Sequence, residues 1–151
     1  MQYVFIRGTV MTMKRNYSEL ITIPTFKERY EYLRLDGKIG IETFGFDRYL
    51  NQALYNSYEW RRVRDEVIIR DQACDLAMPG YEIPRRVIIH HMNPITIEQI
   101  NDRDPIIFDP EYLITTCHST HNAIHYGDES LLMDEPVIRR RGDTSPWKKA
   151  F

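Results

Sequence analysis

Apolar positions in this chain recur with a helical period in some stretches and a strand-like one in others, and the changes between the two mark its elements. The first dozen residues, rich in Val, Ile, Tyr and Thr, read as a strand. Thr25 followed three residues later by Glu28 carries the signature of a capping box and opens a helix through FKERYEYLRL, with Phe26, Tyr30 and Leu33 on one face. Gly37 is a natural stop for it, and GKIG reads as a turn. FDRYLNQALY predicts a second helix that aligns Phe46, Leu50 and Ala53 or Leu54. Ser57 is the expected cap of a third, YEWRRVRDEVIIRDQ, with Trp60, Val63, Val67 and Ile68 as its buried stripe and Arg61, Arg62, Arg64 and Arg70 on other faces.

Beyond the third helix the pattern breaks. DLAMPGYEIPR is dense in breakers and is expected as a loop. VIIHH, β-branched and apolar, reads as a short strand ending at two histidines, and Asn93-Pro94 is a strand-ending turn signal. MNPITIEQINDRDPIIFDPEY is rich in Pro, Asp and Asn and predicts a long loop with room for one helical turn. LITTCHS predicts a second extended run, THNAIHYG a short helix ended by Gly127, and the closing GDTSPWKKAF an irregular tail. These elements define an α+β chain with three expected regions: an N-terminal extension over 1–56, a core over 57–128 and a basic tail over 129–151.

Composition narrows the class. A chain of 151 residues, 42% hydrophobic and 12% aromatic, is the size and make-up of one packed domain. Its formal charge of -2 creates no global positive field, which counts mildly against nucleic acid as a partner unless the cations are locally concentrated. Cys74 and Cys117 are too few for a disulfide framework. No apolar run reaches the length of a membrane span, and MQYVFIRGTV lacks the form of a signal peptide, so a soluble, cytoplasmic protein without a membrane partner is expected.

The histidines carry the chemistry. On a helix, His121 and His125 stand one turn apart with both imidazoles on one side, a geometry for two nitrogens on one cation, although such pairs also occur by chance. His118, a turn earlier, can add to that face if the helix already includes it. The adjacent His90 and His91, at a strand end before a loop, an extended run and this helix, weight the balance towards a site.

That order, and above all VIIHHMNPI with LITTCHSTHNAIH, resembles the HNH endonuclease family over roughly Trp60 to His125. The resemblance implies a ββα-metal core, a hairpin with a long loop packed on a helix, and metal-dependent cleavage or nicking of DNA. Position by position, it implies that His90, His121 and His125 are metal ligands and that His91 is the catalytic general base, kept off the metal by another hydrogen bond to its ring. Because neighbouring residues on a regular strand point to opposite faces, the strand is expected to end or distort at His90-His91.

Two positions depart from the family's pattern. Tyr112 stands where the motif's middle Asn pins the loop, leaving Asp109, Asn101 or the Tyr112 hydroxyl to supply those contacts. The two C-x-x-C pairs that bind a structural zinc in many relatives are reduced to Cys74-Asp-Leu-Ala77 and Cys117-His-Ser-Thr120, so two packed thiols are expected in place of a closed zinc site. The expected cofactor is one divalent metal ion (Mg, Mn, Ni or Zn): imidazoles favour Zn, Ni or Cu, whereas relatives with His ligands are often active with Mg, Mn or Ni.

DNA is the implied partner. Arg85 and Arg86, close to His90 in sequence, and Arg139, Arg140 and Arg141 in the tail are the candidate DNA-binding residues, with solvated charge as the competing reading of each cluster. ETFGFDRYLNQ, WRRVRDEVIIRD and GDTSPWK further resemble phage and prophage HNH proteins of Gram-positive hosts. That likeness implies a link to DNA packaging, the phage terminase as candidate partner and the host cytoplasm as the setting. The competing classes are a non-catalytic DNA-binding packaging accessory protein that keeps a metal-stapled scaffold, and a ribonuclease-like toxin. Oligomeric state is not legible.

Overall fold

Leu113–Thr116, the run LITT, is buried along its whole length, with apolar clusters packed against Leu113 and Ile114. The computed structural model describes residues 3–6, 9–12, 14–35 and 48–132, with side chains at 14–35 and 52–132. It is a mixed α+β structure. Gly37, Phe46, Leu50 as a side chain, and the tail from 133 onward, Arg139 to Arg141 included, lie outside the described residues.

The first predicted strand is two strands, β1 (Tyr3–Ile6) and β2 (Thr9–Thr12), paired antiparallel with Tyr3 opposite Thr12. A short α1 (Tyr17–Leu20), capped by Asn16, precedes α2 (Phe26–Leu33). Thr25 caps α2, accepting from the Glu28 N–H, but the expected box is only half made: the Glu28 carboxylate accepts from the Thr25 hydroxyl at 2.6 Å and not from its backbone N–H. Then come α3 (Arg48–Asn56) and α4 (Tyr58–Arg70), with Ser57 accepting from the Trp60 N–H. Trp60, Val63 and Val67 form the buried stripe of α4, while Ile68 is only half-buried. On α3, Leu54 is buried and Ala53 is exposed, which settles the alternative between them.

The breaker-rich DLAMPGYEIPR contains a small hairpin, where a loop was expected. Its strands β3 (Cys74–Asp75) and β4 (Tyr81–Glu82) pair antiparallel, and Gly80, at φ 84°, supplies the left-handed turn residue. Breakers therefore mark the turn here and not the whole segment. β5 (Ile88–His91) and β6 (Leu113–Thr116) form the central hairpin, with His90 opposite Ile114 and His91 opposite Leu113. The long connection holds α5 (Ile97–Asn101) and two 3-10 turns, Pro105–Phe108 and Pro110–Tyr112. α6 (His118–Tyr126) follows β6 after one residue and ends at Gly127, φ 64°.

Strand alternation divides the core. Leu113 packs with Trp60, Val63 and Val67 of α4, joined by Ile89 and Phe108. Ile114 packs on the opposite side with Ala123 and Ile124 of α6 and with Leu20, Tyr30, Leu33 and Leu35. The segment before residue 48 thus shares the core of the hairpin. The Leu35 N–H also donates to the Ile124 carbonyl at 2.8 Å. Among the described residues, no helix is long and apolar enough to cross a membrane.

Candidate metal centre and the histidine beside it

His90 lies on the α6 face of β5 and is 1% exposed. His121 and His125 share one side of α6 because four residues make about one helical turn. The three rings meet at right or steep angles, with centroids 5.4 Å apart for His90–His121, 5.0 Å for His90–His125 and 4.4 Å for His121–His125. One ligand nitrogen from each lies within 4.8 Å of the others, close enough to hold a metal ion. Nitrogens sharing one ion at roughly 2.1 Å sit about 3–3.5 Å apart, so the rings would draw together on binding.

The donor chemistry fits. His90 Nε2 is buried with no hydrogen-bond partner, an uncompensated polar atom that a bound cation would satisfy. Burial pushes the pKa values of all three rings down, His121 to about 4, and the neighbouring imidazoles push His90 and His121 further. Neutral rings offer lone pairs to a metal without first releasing protons. His118 does enter α6, as its first residue, but it is exposed, is no member of the triad, and lies 3.4 Å from the Asn122 amide.

His91 points to the other face. Its ring stacks on Trp60, 5.1 Å between centroids at 22°, and its Nε2 lies 3.0 Å from the Ile107 carbonyl. A carbonyl only accepts, so the proton sits on Nε2 and the lone pair on Nδ1. Burial holds the ring at a pKa of about 4, partly offset by the Ile107 carbonyl. The strand ends at His91, as expected, and it does so without distortion: regular pairing runs through His91, and the Met92 N–H donates to the Tyr112 carbonyl at 3.0 Å. The charges still interact, since His91 is among the groups that lower the His90 pKa.

The long loop that supplies Ile107 is pinned by short polar side chains. Thr96 and Gln99 form a reciprocal capping box, Asp104 accepts from the Ile106 N–H, and Asp109 accepts from the Glu111 N–H. Of the three candidates for the Tyr112 slot, Asp109 makes a loop contact, while Asn101 is exposed. Arg70 is no free surface cation. It pairs with Asp71 at 2.7 Å and donates to the Pro110 and Leu113 carbonyls, tying α4 to the loop.

The two thiols are free, Cys74 half-buried and Cys117 buried. The buried Asp75 joins their two elements: its carboxylate accepts from the Ala77 and Cys117 N–H groups, at 3.0 and 2.9 Å. With both oxygens engaged and His118 exposed, no group of potential ligands forms at the cysteines among the described residues.

Of the basic candidates, Arg85 and Arg86 are both exposed. Arg86, with Arg64, Val87, Ile88 and His118, lines an open groove of about 640 Å³ beside β5. The sequence reading overlooked Asn93 and Lys14, which meet at the His91 end of the strand, and the Trp60 stacking on His91. Asn93 was visible only as a turn signal, and nothing local marks Lys14.

Compared with known proteins, the chain matches no family model, no curated protein and no solved structure.

Proposed function

We propose that this protein is a metal-dependent DNA endonuclease or nickase of the HNH type, with β5, β6 and α6 as its ββα-metal core. The observation that carries the reading is the division of labour among four neutral imidazoles. Three can share one ion, and the fourth, next in sequence, is held away from it with its Nδ1 lone pair uncommitted. A scaffold needs only the three; hydrolysis needs the fourth.

His90, His121 and His125 would hold the ion. Bound there, a divalent cation supplies Lewis-acid stabilisation to the phosphate and the departing oxygen. His91 Nδ1 accepts a proton from the attacking water, while the Ile107 carbonyl and the Trp60 face keep the ring oriented. The Ile107 carbonyl favours the imidazolium that forms, and a phosphodiester beside the ring raises its proton affinity above the low value of the free site. Arg64 and Arg86 in the groove beside β5 are the proposed phosphate contacts, together with Arg85 and the tail cations Arg139 to Arg141. The sequence offers no recognisable base-reading helix, so weak or shape-based sequence preference is the expectation. Phage DNA packaging, with the terminase as partner, is the proposed setting and rests on the sequence resemblance alone.

The competing reading, a non-catalytic DNA-binding accessory protein, is favoured by the depth of His90, which makes the centre part of the core. Supercoiled plasmid incubated with the protein and Mg, Mn, Ni or Zn, with and without EDTA, separates the two. Nicking that requires the ion is expected, and His91→Ala removes it while retaining metal affinity. His121→Ala lowers metal affinity itself by more than about a hundredfold, beyond what loss of an outer partner costs. A wild type inert with every ion, or a His91→Ala protein that cuts normally, overturns the nuclease reading.

A further inference from the structure

Asn93 grips the chain next to Lys14. The Arg15 N–H donates to Asn93 Oδ1 at 2.8 Å, and Asn93 Nδ2 donates back to the Arg15 carbonyl at 2.8 Å. Two opposed bonds from one carboxamide mimic a β-bridge and fix both the position and the direction of the backbone. The same segment is tied again from the other side. Arg15 Nε donates to the Tyr32 carbonyl at 2.7 Å, and the Asn16 N–H donates to the Tyr32 hydroxyl at 2.9 Å. Residues 14–15 are therefore anchored to the end of β5 by contacts spanning the N-terminal part of the chain.

The anchored segment crosses the point where the two histidines diverge. The Arg15 charge bears on His90, and Lys14 lines a cavity of about 60 Å³ together with His91, Asn93, Gln99, Ile107 and Tyr112. The Lys14 ammonium stands 6.0 Å from the Tyr112 ring centroid, at the outer limit of a cation–π contact. No carboxylate lines this cavity, and no ion pair to Lys14 occurs among the described residues. A protein with a formal charge of -2 thus has, beside a neutral imidazole, a cavity whose only charged lining group among the described residues is a cation. Such a cavity suits an anion with room for a phosphate oxygen or a water molecule.

We infer that Lys14 is a phosphate-binding residue of the His91 site, its ammonium contacting a non-bridging oxygen of the phosphodiester, and that Asn93 is the positioning residue that holds it there. The inference rests on the nuclease reading for the identity of the anion. Lys14 transfers no proton. In the hydrolysis it assists, the water oxygen bonds to phosphorus and its proton passes to His91 Nδ1. The bond to the 3′ oxygen breaks with its electron pair on that oxygen, which takes a proton from solvent.

Two measurements test this. Fluorescence anisotropy of a labelled oligonucleotide with EDTA-treated protein, across a salt series, reads the contact without cleavage. Lys14→Ala is expected to weaken binding and lower the salt slope by about 0.7–0.9, the value of one phosphate contact, while Lys14→Arg keeps the slope. Plasmid nicking with Mn then reads its part in turnover. Lys14→Ala should lower kcat roughly tenfold to a hundredfold, more than it raises KM. Asn93→Ala should reproduce that loss, with no further loss in the double variant. An unchanged salt slope in Lys14→Ala overturns the inference whatever the wild type does to plasmid. A wild type inert with every ion, whose oligonucleotide binding still depends on Lys14, overturns the nuclease reading and upholds the phosphate contact.

Discussion

His91 has one nitrogen committed to a carbonyl and its face on an indole, while His90, next to it, leaves a buried Nε2 without a partner. The two environments impose different requirements on rings of the same type, and both keep the ring neutral. This has a consequence for stability. In the unfolded chain each imidazole titrates near the ordinary 6.5; in the folded protein His91 and His121 titrate at about 4, and His90 and His125 are also lowered. As pH falls through 6.5 the unfolded chain takes up protons that the folded one refuses, so the stability these groups contribute is complete above about 6.5 and is lost towards 4. Urea unfolding of chelator-treated protein at pH 7, 6 and 5 should show a falling midpoint, and a flat profile would mean that the rings are charged in the native state. The residue types were legible from the chain, since an i,i+4 pair and two adjacent histidines stand out. The tautomer of His91 was not, because it depends on Ile107, contributed by the loop between the strands.

At the scale of elements, the junction between β3 and α6 rests on one carboxylate. The N-cap position of α6, Cys117, makes no side-chain cap bond. Asp75, 1% exposed, receives the Cys117 N–H from outside the helix and the Ala77 N–H from its own turn. Asp75→Asn keeps one acceptor and points an amide N–H at the other donor, so a loss of about 2–4 kcal/mol is expected, read as a lower urea midpoint with the native far-UV spectrum retained at low urea. An unchanged midpoint would show that these two N–H groups are satisfied without it. The elements themselves were largely readable where a cap or a strict period marked them: Thr25 and Ser57 cap their helices, and Gly127 ends the last one. The hairpin inside DLAMPGYEIPR was not readable, because strands of two residues carry no periodicity, and only pairing across Gly80 defines them.

For the molecule as a whole, the hairpin separates two of the three apolar clusters among the described residues, and the α6 side is completed from far away in sequence. Leu20, Tyr30, Leu33 and Leu35 cover Ile114, Ala123 and Ile124, beside the face that carries the three clustered imidazoles. A fragment beginning at residue 48 exposes that surface and removes the Asn93–Arg15 bridge. It should lose its cooperative thermal transition and the metal binding proposed for the three histidines together, measured by circular dichroism with and without Mn. A fragment that melts as sharply as the full chain would show that α1 and α2 are dispensable to the core.

The order of residues by itself determined the α+β class, the apolar faces of α2 and α4, and the one-turn spacing that sets His121 beside His125, because propensity, capping and periodicity act over a few residues. The family resemblance had already grouped His90 with that pair and set His91 apart; only the tertiary structure decided that Ile107 is the group that holds His91, and that Arg70 secures a loop instead of facing solvent. It alone brought Lys14 to the His91 cavity through Asn93. Each of these depends on groups far apart in the chain, whose meeting is set by how the hairpin packs between α4 and α6, and no local pattern encodes that packing.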